Sequence, residues 1–176
     1  MPRQLTFIAL ASCLLLSACG AWQAVSDTSA SAYRAVFYKQ VKVLNVDLSA
    51  RASINPDKAS RPCSVSVRVY QLKDRKLFDA ATYEDLLKRD KTVLAQDLQA
   101  SLATVMNPGA AASLSQPMQS DTEYVAIVAF YRDPGSDGTW RRVIEKKKLV
   151  ADTPLKLELV EHELVAAGGL AGTRRE

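Results

Sequence analysis

The run SVSVRVYQL, residues 64–72, sets Val65, Val67 and Val69 on one side of an extended chain and Ser64, Ser66, Arg68 and Tyr70 on the other. A helix repeats its faces about every 3.6 residues, so this period of two requires a sheet with one buried face. The alternation recurs in VKVLNVDLS, where Lys42, Leu44, Val46 and Leu48 oppose Val41, Val43, Asn45 and Asp47. EYVAIVAFY, residues 123–131, is almost continuously apolar, which predicts a strand covered on both faces. SLATVM ends at the turn signal Asn107-Pro108-Gly109, and AASLSQPM reads as a short or edge strand because Pro117 has no N–H for a central ladder. DPGSDG, residues 133–138, is a hairpin loop feeding WRRVIEKKKLV, read as a further strand. Leu155, Leu157 and Leu159 alternate with Lys156, Glu158 and Val160 in the last strand. Seven or eight short strands punctuated by turns predict a mainly β fold, a two-sheet sandwich.

One segment breaks this rhythm. In FDAATYEDLLKRDKTVLAQDL, about 78–98, Tyr83, Leu86 and Leu87 share one helical face, and Glu84 and Asp85 sit near its positive end. Asp79 or Thr82 suits the N-cap, and Asp90 suits the cap of a second short turn carrying Val93 and Leu94. Between the first two strands lies RASINPDKASRPC, a polar stretch too long for a tight hairpin, whose prolines and charges keep it exposed.

The N-terminus carries Arg3 and then LTFIALASCLLL, residues 5–16, an apolar run of twelve. As a helix it spans about 18 Å, against roughly 30 Å of bilayer hydrocarbon, so a secretory signal fits better than a membrane span. Leu16-Ser17-Ala18-Cys19 follows directly and resembles the lipobox of bacterial lipoproteins. That resemblance implies cleavage before Cys19, with a diacylglycerol on its thiol and an acyl chain (palmitate) on its new amine; a conventional A-x-A-like cleavage is the alternative. Several chains on one residue make a stable anchor where a single chain does not. Gly20, in place of an Asp, points to the outer rather than the inner membrane. The expected organisation is a signal peptide at 1–18, a lipidated end and tether at 19–40, the sandwich at 41–163 and a flexible tail at 164–176. Of the three cysteines only Cys63 then remains free, expected as a small buried hydrophobe at a strand start.

Chemistry-bearing patterns are sparse. A net charge of +4 is far from that of a nucleic-acid binder. The single histidine, His162, is expected on the polar face of the last strand, and the chain lacks the ligand clusters of a transition-metal site. Ser136 lies in a G-S-x-G turn before a strand, not in the strand–G-x-S-x-G–helix setting of a nucleophile elbow. Asp121/Glu123 and Glu161/Glu163 are spaced to share a strand face but read as solvated pairs. Arg141, Arg142, Lys146, Lys147 and Lys148, with Trp140 and Tyr131 nearby, form the densest basic group. Nucleic acid or acidic headgroups are possible ligands for it, but strand alternation splits the charge over two faces, as in a solubilising edge strand.

Taken in order, the lipobox, SVSVRVYQLKD, FDAATYEDLL, the MNPG turn and VAIVAFYRD followed by WRRVI resemble the outer-membrane lipoproteins of the bacterial type VI secretion system, the TssJ (SciN) family, over about residues 41–163. The resemblance implies a transthyretin-like β-sandwich with an added helical element, a non-enzymatic role, and a lipid anchor on Cys19 in the outer membrane, facing the periplasm. It implies as partner the periplasmic C-terminal region of the inner-membrane protein TssM, in a complex that also contains a TssL-like protein, with no nucleic acid, small-molecule substrate, metal or cofactor beyond the lipid. The contact falls on the loop between the first two strands: Ser53, Ile54, Asn55, Pro56, Asp57, Lys58, Ala59, Ser60 and Arg61, with Asn55 to Lys58 at its tip. Two other readings stay open: a periplasmic sandwich holding a small hydrophobic or cell-wall ligand, and an enzyme with His162 as its base.

Overall fold

The computed structural model describes residues 40–135 and 137–167. Cys19, the signal segment and the tether up to residue 39 lie outside them, as do Ser136 and residues 168–176. The described fold belongs to a compact unit that begins at Val41. Eight strands form it: β1 (Val43–Ala50), β2 (Val65–Leu72), β3 (Leu98–Met106), β4 (Ala111–Pro117), β5 (Tyr124–Phe130), β6 (Arg141–Glu145), β7 (Leu155–Val160) and β8 (Glu163–Ala166). Two helices, α1 (Lys76–Ala80) and α2 (Tyr83–Val93), sit between β2 and β3. One sheet has the order β4-β1-β7-β8 and the other β3-β2-β5-β6. All pairings are antiparallel except β1 with β7.

The alternation sets the core. Leu44, Val46, Leu48 and Ala50 of β1, Val65, Val67 and Val69 of β2 and Leu155, Leu157 and Leu159 of β7 are buried, as their parity requires. Gln71 continues the inward face of β2 and is buried too. It is satisfied by the Pro117 carbonyl at 2.9 Å, the Gln119 N–H at 2.8 Å and the Thr122 hydroxyl at 3.0 Å. Because Pro117 belongs to the other sheet, this one side chain ties the two sheets together.

β5 is buried on both faces, as its apolar run predicts, because the helices cover the outer side of its sheet. Tyr83 meets Phe130 and Trp140 edge-on at 5.7 and 5.0 Å, and Phe78 packs 6.2 Å from Tyr70. Polar struts fix the layer. Arg68 on β2 donates to the Leu86 carbonyl at 2.8 Å, pairs with Asp90 at 3.0 Å and lies 4.8 Å over the Phe130 ring. Tyr70 donates its hydroxyl to Asp90 at 3.0 Å. From β6, Arg141 donates to the carbonyls of Phe78 and Ala81, both at 3.2 Å.

Thr82 is the N-cap of α2 in a full capping box with Asp85. Thr82→Ala removes the acceptor for the Asp85 N–H and is expected to cost about 1 kcal/mol in chemical denaturation. Asp90 follows a kink at Arg89, as a second turn requires, but its carboxylate also serves Arg68 and Tyr70. Leu86 and Leu94 are buried, while Leu87 is 40% exposed and leaves the apolar face.

Several expectations are corrected. Residues 164–166, expected in the tail, belong to β8: Leu164 is fully buried, and Tyr131 donates to the Glu163 carbonyl at 2.7 Å. β6 ends at Glu145, opposite Tyr124 at the start of β5; the Lys146 N–H still donates to the Glu123 carbonyl at 2.8 Å, but Lys146–Lys148 turn into a 3-10 helix. The strand alternation assigned to those lysines therefore does not exist. His162 lies in the turn between β7 and β8, not on a strand face. Neither Asp121/Glu123 nor Glu161/Glu163 shares a strand. Cys63 is half-buried ahead of β2, with its Sγ 3.5 Å from the Arg61 carbonyl.

Candidate docking surface at the loop end

Four connections gather at one end of the sandwich: residues 51–64, 107–110, 131–140 and 161–162. They are tied by hydrogen bonds, while Ile54, Tyr131 and Trp140 pack into the core beneath them. Asn55 is the hub and is 2% exposed. Its N–H donates to the Glu161 carbonyl at 2.7 Å, its Nδ2 to the Ser64 carbonyl at 2.8 Å, and its Oδ1 accepts from the Arg132 N–H at 2.7 Å. Its φ of 50° is left-handed, a conformation asparagine tolerates better than most residues. The Asn55 side chain thus fixes the long loop to the start of β2 and to the β5–β6 loop, and its backbone N–H fixes it to the β7–β8 turn.

Other bonds complete the platform. Ser64 donates to Asn107 Oδ1 at 2.7 Å, and the Arg51 carbonyl accepts from the Gly109 N–H at 3.2 Å. Arg51 also pairs with Glu158 at 2.9 Å. Tyr131 is buried, its carbonyl accepts from the Tyr83 hydroxyl, and its ring meets His162 edge-on at 6.3 Å. Burial pushes the Tyr131 phenol pKa up, so its hydroxyl remains a donor.

The outer part of the loop is a small closed turn. Asp57 Oδ1 accepts from the N–H groups of Ala59 at 2.8 Å and Arg61 at 2.9 Å, while Oδ2 accepts from Arg61 Nε at 2.9 Å. The Asp57 carbonyl takes the Ser60 N–H at 2.9 Å, with Ser60 at a φ of 60°. These bonds from Arg61 and Ala59, with the nearby Arg132 charge, hold the Asp57 pKa below its ordinary value. A lowered carboxylate pKa means the turn keeps its charge-assisted bonds at neutral and mildly acid pH and loses them as pH falls through that lowered value.

The residues expected to form the contact therefore divide. Lys58, Ala59, Ser60 and Arg61 are exposed, as is Ser53 at the base; Pro56 and Asp57 are half-buried; Ile54 and Asn55 are buried. Asn55 does not lie at the tip, which is 57–61, and it presents no surface to a partner. Arg132, Glu161 and Asn107 join the platform, where nothing in the sequence placed them: Glu161 read as one of a solvated pair and Asn107 as a turn residue. The signal for Asn55 is an Asn-Pro pair in a long loop without glycine, where asparagine and aspartate adopt the left-handed region most readily.

Around the tip, Arg51, Lys58, Arg61 and Arg132 alternate with Asp57, Asp133, Asp137 and Glu161, so the surface is charged without a dominant sign. Among the described residues no group of three His, Cys, Asp or Glu side chains is placed to hold a metal. An open depression of about 420 Å³ lies on the outer face of the β4-β1-β7 strands, lined by Asp47, Ser49, Ser113 and Lys156 among others. Between the sheets, Val46, Val67, Ile127, Leu157 and Leu159 are at most 1% exposed.

One end of the sandwich is thus a charged platform of cross-tied loops. The chain belongs to the type VI secretion lipoprotein family (VasD, EvfM, TssJ), whose model matches residues 42–162. Family members are structural lipoprotein components of that system. A chain of a solved "Type VI membrane complex" is 34% identical, with a TM-score of 0.69 over 73% of this chain and 99% of that one. A chain in the structure titled "T6SS protein TssM C-terminal domain (869-1107) from EAEC" is 30% identical, with a TM-score of 0.65 over 73% of this chain and 100% of that one. The T6SS lipoprotein TssJ1 from Pseudomonas aeruginosa shares the fold at 24% identity and a TM-score of 0.61, covering 73% of this chain and 98% of that one. None of the curated proteins matches the chain significantly.

Proposed function

We propose that this lipoprotein bridges the outer membrane to the periplasmic C-terminal region of a TssM-like inner-membrane protein, in a complex that also holds a TssL-like protein. Cys19 carries the lipid, and the tip at 57–61, held by Asn55, makes the contact. No cofactor or catalysis enters this reading.

The observation that carries it is the polarity of the domain. The chain enters at Gln40–Val41, just before β1, and the docking loop follows the other end of that strand. Eight residues of strand separate the two by about 26 Å. A tether pulling at one end leaves the platform at the other end free to face away from the membrane. The relative in the structure titled for the TssM C-terminal domain supports the choice of partner. The filled interior between the sheets favours docking over a buried small ligand.

Cys19→Ser tests the anchor: the protein is expected to move from the membrane to the soluble periplasmic fraction, and secretion to be lost. Retention in the outer-membrane fraction would contradict the assignment.

A further inference from the structure

From Leu98 to Ser120 there is no charged side chain, although 24% of the chain is charged. This run contains β3 and β4, the edge strands of the two sheets, joined by a short turn at 107–110. Both edges therefore lie along one side of the sandwich. The edges of the opposite side are charged: β6 carries Arg141, Arg142 and Glu145, and β8 begins at Glu163. An edge strand displays unpaired N–H and C=O groups and is ordinarily protected by charge or proline. Here only Pro117, at the far end of β4, does so. Leu102, Thr104, Ala112 and Leu114 are half-buried along the seam, and Val105 is 64% exposed. Gln116 Nε2 is buried there without a hydrogen-bond partner.

We propose that this side pairs with the same side of a second copy of this chain, about a two-fold axis parallel to the strands. β3 runs toward the loop end and β4 runs away from it. A half-turn about that axis keeps the loop ends level and exchanges the sheets, so β3 of one copy meets β4 of the other antiparallel, twice over. Each four-stranded sheet then continues into a sheet of its neighbour, inner face to inner face. Both strands alternate inward and outward, so matching inner face to inner face with Val105 level with Ala111 sets Leu102 opposite Leu114, Ala103 opposite Ser113 and Ser101 opposite Ser115. Neither strand brings a charge to the seam, so no like charges face each other.

The inference rests on the proposed anchorage, because this axis directs both Gln40–Val41 ends to one side, as two chains in one membrane require. Antiparallel pairing of β3 with itself would point them in opposite directions. A shared membrane also raises the effective concentration of one copy for the other.

The test uses membranes carrying the full chain with Cys63→Ser, Ala103→Cys and Ser113→Cys, treated with a short bismaleimide. Directly opposed residues have Cα atoms about 5 Å apart, within its reach. A cross-linked dimer is expected from the double-cysteine chain and not from either single-cysteine chain. Adding Ser101→Lys with Ser115→Lys sets lysines opposite each other and is expected to abolish the dimer, while Ser101→Lys with Ser115→Glu restores it. A dimer from Ala103→Cys alone, an adduct with a different protein in place of the dimer, or no cross-link in the membrane fraction would overturn the pairing. Recovery in the soluble fraction would contradict the anchorage instead. The cross-link is then read on the soluble chain, where absence of dimer overturns the pairing equally.

Discussion

Asn55→Ala is expected to lower the unfolding free energy by about 2–4 kcal/mol and Tm by about 10 °C. The substitution strips the Arg132 N–H and the Ser64 carbonyl of their partners in a region 2% exposed at position 55. A buried donor or acceptor left unmade costs about 1–3 kcal/mol, and a left-handed alanine adds roughly 1 kcal/mol. The Asn55 N–H bond to Glu161 belongs to the backbone and survives only if the loop keeps its path. Asn55→Gly separates the two contributions: it relieves the strain but restores no side-chain bond, so it is expected to recover only about 1 kcal/mol. Thermal or urea unfolding measures both, and a stability equal to that of the parent chain would show that water replaces the Asn55 amide. The same variant is expected to weaken partner binding although Asn55 touches no partner, because the tip would lose its fixed base.

The second large effect is at Asp90. Its carboxylate is the shared acceptor of Arg68 and Tyr70, both at 3.0 Å, beneath the helical layer. Asp90→Ala leaves a guanidinium and a phenol facing the gap, and a broken partly buried pair of this kind costs about 2–4 kcal/mol. Arg68 retains its bond to the Leu86 carbonyl and its place over Phe130, which caps the loss. Asp90→Asn keeps an acceptor for the Tyr70 hydroxyl and is expected to cost about half as much. Equal losses for the two variants would assign the role to charge alone. Because the site lies on the outer face of the second sheet, away from the loop platform, neither variant is expected to change partner affinity in the folded protein.

What the sequence reveals depends on how local the cause is. The buried parity of β1, β2 and β7 was legible because alternation is a property of the strand itself. β5 was legible as doubly covered because a continuous apolar run leaves no face for water. β8 was hidden: ELVA is four residues long, and only its pairing with β7 makes it a strand. The lysines after Ile144 read as strand because nothing in KKK says that β5 has already ended opposite Glu145. Arg68 and Arg141 looked like solvated surface, yet each spends its donors on carbonyls of the helical layer. The long loop between the first two strands was legible as a loop, but its inner half could not be told from its outer half. Ile54 and Asn55 sit among polar neighbours, and it is the Arg132 and Glu161 backbones, 77 and about 106 positions away, that draw Asn55 inward.

The bridging account stands or falls on the loop tip. The direct measurement is the affinity of the TssM-like periplasmic region for this domain when residues 57–61 are replaced by a Gly-Ser segment of equal length. Asn55 and Ile54 are left in place, so Tm is expected to stay within about 2–3 °C of the parent. If the tip supplies the central contacts, affinity falls by about 100-fold or more, the scale of losing a docking hot spot. Unchanged affinity in a folded variant would contradict the account and move the contact elsewhere on the sandwich.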